Sequence, residues 1–149
     1  MPETTGSWAE NANRALSEAG HRAGGARGAV IELLSGQSCC LSAQEISDAL
    51  GERGRDVGLA SVYRALELLH EMHLVQRVDL GDGGHRYEPI QPGGEHHHHA
   101  ICDSCGKVTA FEDEKLESAL HRLAGRLSHS ISAHDVVIHG ACGRCAKAA

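Results

Sequence analysis

At 149 residues the chain is long enough for one ordinary domain or two small ones, and 41% hydrophobic with 23% charged residues excludes a disordered polymer. No apolar run reaches the length of a membrane span, and the N-terminus lacks the basic start and apolar core of a secretory signal, so the expected compartment is the cytosol. The net charge is −6, and residues 1 to 80 hold seven of the 14 basic residues against eleven acidic ones, which excludes a general lysine carpet for nucleic acid and leaves any such contact to particular arginines.

Aromatics make up only 3%, so the core must be built from Leu, Val, Ile and Ala. A core that light gains from a staple such as a metal or a dimer interface. Cytosolic thiols stay reduced, and six cysteines therefore point to metal more than to disulfides.

In chain order, residues 8 to 19 read as a polar, Ala-rich helix, interrupted by the glycines of "GHRAGGARGAV". "ARGAVIELLSG" resumes helical spacing through Ala26, Val30, Leu33 and Leu34, with Gly36 as its stop. "LSAQEISDALGERG" opens with Ser42 and Glu45 in a capping-box pattern, and Ile46, Ala49 and Leu50 follow at helical spacing. In "GLASVYRALELLHEMHLV" the residues Leu59, Val62, Leu66 and Leu69 make an apolar face, with Ser61, Tyr63, Arg64, Glu67 and His70 opposite.

The period then changes. "LVQRVDL" and "HRYEPI" alternate like strands about the turn "GDGG", which predicts a two-stranded wing after a helix-turn-helix. "PIQPGGE", with two of the chain's three prolines, reads as a hinge at 89–95. Beyond it "HHAIC", "KVTAFE" and "HDVVIHGAC" are strand candidates. "DEKLESALHRLAGRLS" is a helix capped by Asp113, with Leu116, Leu120, Leu123 and Leu127 as its apolar stripe. The organisation expected is α+β: residues 1–88 a winged helix-turn-helix, 89–95 a hinge, 96–149 a small ββαβ domain.

Cys102-x-x-Cys105 and Cys142-x-x-Cys145 can each aim two sulfurs at one metal, and together they complete the closed tetrahedral shell that structural zinc prefers. Such a metal is part of the folding energy and stays bound. Cys39 and Cys40 are adjacent, an arrangement that seldom serves one metal; they read equally well as small loop side chains. His96, His97, His98 and His99 precede Cys102. On a strand side chains alternate, so His96 and His98 point one way and His97 and His99 the other. One run can then feed two sites, with Glu88, Glu117, His121, His129, His134 and His139 as candidate partners; an idle solvated tract is the bland alternative.

"GLASVYRAL" (58 to 66), "HHHHAICDSCGKVTAFED" (96 to 113) and "HGACGRC" (139 to 145) resemble the ferric uptake regulator (Fur) family of metal-responsive bacterial repressors, over roughly residues 14 to 145. The resemblance implies a winged-helix DNA-binding domain, a hinge and a C-terminal α/β dimerisation domain. It implies that Cys102, Cys105, Cys142 and Cys145 hold a structural zinc. It further implies a regulatory hinge site of Cys40, Glu88, His97 and His99, and a second site in the dimerisation domain of His96, His98, Glu117 and His134.

Two positions depart from iron-sensing relatives: His98 where those often have aspartate, and Cys40 where they commonly have histidine. Softer donors suit Zn2+ more than Fe2+ and tilt the reading toward the zinc uptake regulator branch. Gln76 and residues 89–95 do not supply the aspartate and cysteine that some actinobacterial zinc regulators use. Leu59 to Met72 is the expected recognition helix, with Tyr63 and Arg64 on DNA, Ser61 on a phosphate, and Arg27 and Arg22 on the backbone. Tyr63 reads otherwise as a half-buried core residue, and His70, His73, His121, His129 and His139 as surface or packing residues.

The function expected is a cytoplasmic, homodimeric, zinc-responsive repressor on a pseudo-palindromic double-stranded operator, with no membrane role. A ferrous-iron regulator or iron-based peroxide sensor of the same family is the near alternative, and a zinc store or metallochaperone the distant one. An enzyme is not expected. "AICDSC" lacks the proline and the preceding H-x-E of zinc deaminases, and neither a phosphate loop nor a nucleophile elbow occurs.

Overall fold

The computed structural model describes residues 6–22, 24–37, 39–79, 81, 84–91 and 97–147. Contacts divide the chain into two units, Met1–Glu95 and His96–Ala149. Most of the expected hinge, and the tip of the expected wing turn, lie outside the described residues.

The first unit opens with α1 (Trp8–Glu18), started by a full capping box that the sequence reading passed over: the Ser7 hydroxyl accepts from the Glu10 N–H while the Glu10 carboxylate accepts from the Ser7 N–H. Trp8, Ala12 and Leu16 are one turn apart and buried, and the Trp8 indole N–H donates to the Leu74 carbonyl at 2.8 Å. α2 (Gly25–Ser35) buries Ala29, Val30, Ile31, Leu33 and Leu34 and so sits at the middle of the unit. α3 (Ala43–Glu52) has half the expected capping box. Ser42 Oγ accepts from the Glu45 N–H at 3.1 Å, but the Glu45 carboxylate pairs with Arg86 at 3.0 Å instead of turning back.

α4 (Leu59–Glu71) packs Val62, Ala65, Leu66 and Leu69 into this core. Leu59 departs from the expected apolar face: it stands at the helix start, 38% exposed, and Ala65 takes a core position in its place. Each buried Leu or Ile contributes about 1.5–3 kcal/mol, and the unit's core is one continuous cluster of such residues closed by Val75 and Tyr87. The wing has three strands rather than the expected two. β1 (Leu41–Ser42), β2 (Val75–Asp79) and β3 (His85–Pro89) form an antiparallel sheet in the order β1-β3-β2. Two residues are too few to show an alternation, so β1 is set by its partner strand and not by its own pattern.

The second unit contains β4 (His98–Cys102), β5 (Val108–Phe111), α5 (Glu114–Arg126), β6 (Val137–Gly140) and a short α6 (Gly143–Lys147) that the sequence reading did not expect. The sheet order is β5-β4-β6, with β4 antiparallel to β5 and parallel to β6, the crossover passing through α5. Asp113 caps α5, its carboxylate accepting from the Leu116 N–H at 2.9 Å. The expected leucine stripe of α5 is not buried: Leu116 and Leu120 are half-buried, Leu123 is 40% exposed and Leu127 65%. Among the described residues of this unit, Ile101, Cys102 and Ala124 are the buried apolar side chains. Among the described residues no helix is long and apolar enough to cross a membrane.

Candidate metal centres and nucleic-acid face

The parallel pairing of β4 with β6 sets Cys102 opposite Gly140, which brings both CxxC turns to one end of the sheet. Gly106, at φ +77°, allows the left-handed step that folds the first turn back. Cys102 Sγ accepts N–H bonds from Cys105 at 3.5 Å and from Cys142 at 3.3 Å. Cys105 and Cys142 Sγ are 3.9 Å apart, and all four sulfurs lie within 4.8 Å of one another. A disulfide needs about 2.05 Å. Four thiolates each about 2.3 Å from one metal stand about 3.8 Å apart, so the spacing is that of a chelating set.

The electrostatics agree. The N–H bonds from Cys142 and Cys105 hold the Cys102 thiol down to about 6. The Cys145 N–H lowers Cys142 in the same way. Cys145 is pushed up to about 12 by its bonds to the sulfurs of Cys142, Cys102 and Cys105. Cys102 and Cys142 are thus the two sulfurs that their surroundings dispose to release a proton.

A second cluster lies in the same unit. Glu117, in the first turn of α5, receives His98 Nε2 on Oε1 at 2.5 Å and His134 Nε2 on Oε2 at 2.6 Å. The His98 bond, then that from His134, keeps the Glu117 carboxyl below its ordinary value. His98 is buried, with the Phe111 ring 5.6 Å away. The Val136 N–H donates to His98 Nδ1 at 3.2 Å, which leaves the proton of the neutral ring on Nε2, facing Glu117. A cation at this triad takes the place of protons on nitrogen. His96, the fourth expected member, lies outside the described residues. His97 and His99 pack edge to face with ring centroids 4.9 Å apart, two residues apart along the chain and thus on one side of it.

Two further expected ligands belong to the first unit. The register Leu41↔Tyr87 and Ser42↔Arg86, extended by one residue, sets Cys40 opposite Glu88. The charge of Glu88 is felt at Cys40, whose thiol is pushed far up by its bond with Cys39, then by burial. Gln76, opposite Glu88 on β2, donates its amide N–H to Glu88 Oε1. Sequence reasoning noted Gln76 only as a missing ligand. Its orienting contact follows from strand register, which no local motif encodes.

Among the DNA-contact residues expected, Arg22, Arg27, Ser61 and Arg64 line one open cleft of about 300 Å³, with Gly24 and Ala26. Arg64 Nη2 donates to Ser61 Oγ at 3.1 Å across one turn of α4. Tyr63 is 47% exposed on the same helix and does not line the cleft, so it is not the core residue of the bland reading. α2 and α4 begin at Gly24 and Gly58 without a side-chain cap, leaving the first N–H groups of both helices to outside acceptors.

The Ferric uptake regulator family profile matches residues 18–139. The ferric uptake regulation protein of Bacillus subtilis (strain 168) is 37% identical over 114 residues, 76% of this chain and 76% of that protein. Among solved structures, the Helicobacter pylori ferric uptake regulator, described as having three functional metal binding sites, superposes with a TM-score of 0.82 at 26% identity, covering 97% of this chain and 95% of that one. A zinc uptake regulator in complex with zinc and DNA gives a TM-score of 0.60 at 27% identity over 98% of this chain and 97% of its own. With the family profile covering most of the chain and the fold and sulfur tetrad in place, the chain belongs to the ferric uptake regulator family.

Proposed function

We propose that the chain is a metal-responsive, DNA-binding transcriptional repressor of metal-uptake or homeostasis genes, acting in the cytoplasm as a homodimer. The observation that carries this reading is Cys40, one residue before β1 on the sheet of the winged-helix unit and within reach of the Glu88 charge. Metal-ligating side chains on the unit that holds the arginine cleft tie cation binding to DNA binding. His97 and His99 of the second unit complete the regulatory site. Binding that draws on both units selects one separation of the two winged helices in a dimer. Moving a 1:99 mixture to 99:1 takes about 5.5 kcal/mol of differential affinity, within reach of a site assembled only in the closed state.

Cys102, Cys105, Cys142 and Cys145 hold Zn2+ permanently, as a closed all-sulfur shell. His96, His98, Glu117 and His134 hold a second ion in the dimerisation domain. At the regulatory site a thiol among imidazoles favours Zn2+. Fe2+ is the second reading, favoured by the ferric uptake regulation proteins among the curated relatives. Arg22 and Arg27 grip the DNA backbone, Ser61 and Arg64 reach a phosphate or guanine edge from the start of α4, and Tyr63 meets a thymine methyl or sugar. A zinc store would have no use for that cleft.

The test is fluorescence anisotropy of an operator duplex taken upstream of a metal-uptake gene. Metal-replete protein is expected to bind about 100-fold more tightly than chelated protein. Cys40→Ser should remove most of that gain while keeping one structural zinc per chain. Loss of DNA binding in every metal state would sink the repressor reading, and competitive titration with Zn2+ and Fe2+ identifies the cation.

A further inference from the structure

Cys39 has no part in the sites above, yet its sulfur stands 3.8 Å from that of Cys40. Adjacent residues of a strand send their side chains to opposite faces, and the chain becomes a strand at Leu41. A bend at Cys39 breaks the alternation and turns both sulfurs to one side. Neither cysteine is in a disulfide. Neighbouring Cα atoms across a trans peptide are about 3.8 Å apart, below the roughly 4.4 Å lower limit of ordinary disulfides, so this pair is poorly placed for one. It is well placed for something else. The separation matches the 3.9 Å between Cys105 and Cys142 in the sulfur tetrad, and the edge of about 3.8 Å expected for two thiolates on one cation.

We propose that Cys39 is a metal ligand, and that Cys39 and Cys40 bind one thiophilic divalent cation side by side through two thiolates. Cys40 is buried, Cys39 is half-buried, and the register of β1 on β3, extended by one residue, sets Glu88 opposite Cys40, whose thiol feels its charge. The inference rests on the reading of Cys40 as a regulatory ligand and deepens it: with two sulfurs the site discriminates against cations that prefer oxygen and nitrogen donors, Fe2+ and Mn2+ among them, in favour of the zinc class.

The probe is Co2+ alone, added to the full chain with its four-cysteine site filled with Zn2+. Sulfur-to-cobalt charge-transfer absorbance counts thiolates at the added ion. Cys39→Ser is expected to retain about half of the absorbance per bound Co2+, one sulfur in place of two. Loss of outer-shell partners already costs about 10–100-fold in metal affinity, so loss of this ligand should weaken Co2+ binding at least about tenfold. Cys39→Ala should behave alike, and circular dichroism with zinc content establishes that both variants are folded. If Cys39→Ser leaves spectrum and affinity unchanged while Cys40→Ser abolishes the absorbance, Cys39 is no ligand and the inference falls, with the regulatory role of Cys40 intact. If neither substitution changes the spectrum, the inference and the role of Cys40 fall together.

Discussion

Arg64 donates to Ser61, and both share a cleft with Arg22 and Arg27, so on the proposed function their substitutions should separate by what each side chain would touch on DNA. Arg22→Ala and Arg27→Ala should weaken operator and unrelated DNA alike, each lowering the slope of log affinity against log salt by about 1, read by anisotropy across a salt series. Arg64→Ala, if the side chain reads a guanine edge, should cost about 1–3 kcal/mol on the operator and relax preference at one position.

Glu117 yields a pH prediction. Its carboxyl lies below the ordinary value because of the His98 and His134 bonds, so the folded state holds that proton less firmly than the unfolded chain does. The resulting stabilisation is complete above the unfolded value, about 4.3, and is lost as pH falls through the depressed folded one. The melting-temperature difference between wild type and Glu117→Gln should therefore shrink as pH is lowered from 7 through that range. A difference that stays constant with pH means the carboxylate is not held by the two imidazoles. At this scale the sequence was informative wherever spacing alone places a group. The cysteine pairs and the alternating histidines needed only a turn and a strand. Gln76 and the Val136 N–H were invisible because each depends on which residue lies opposite in a neighbouring strand or loop.

Among the elements, helices with strong periodicity were legible to within a residue or two, as α4 and α5 illustrate. β1 and α6 were not, being shorter than the patterns that reveal an element. The leucine stripe of α5 was read correctly as a stripe, but the sequence could not say what covers it. Leu123 and Leu127 are exposed within the chain, as is Ile138, 53% exposed on β6, and the homodimer proposed above would find in them apolar area to bury. Leu127→Glu should leave the unit folded, since the side chain is not in its core. Burying one leucine is worth about 1.5 kcal/mol or more, and a two-fold interface carries two copies, so dimer affinity should drop by about 100-fold or more in sedimentation equilibrium. An unchanged dimer would put the interface elsewhere.

Taken whole, the molecule divides its stabilisation unequally. The continuous apolar core belongs to the first unit, whereas the second has few buried aliphatic side chains and a tetrad of sulfurs. Composition pointed to a core that gains from a staple, and the CxxC spacing told where the four sulfurs gather. The tetrad joins sulfurs separated by the whole crossover from β4 to β6. That separation has a consequence during synthesis. Cys142 leaves the ribosome 37 residues after Cys105, an interval of roughly 2–8 seconds at ordinary elongation rates. For those seconds the strand that carries His98, His99 and Cys102 has two thiols and no partner for its β6 edge. Supply of a metal ion to the nascent chain, and protection of that first thiol pair from oxidants and from the wrong ion, would thus be a matter of timing as much as of affinity. On the proposed function, a regulator that reports scarcity of metal would have to take its own structural ion from the same pool before it could report anything.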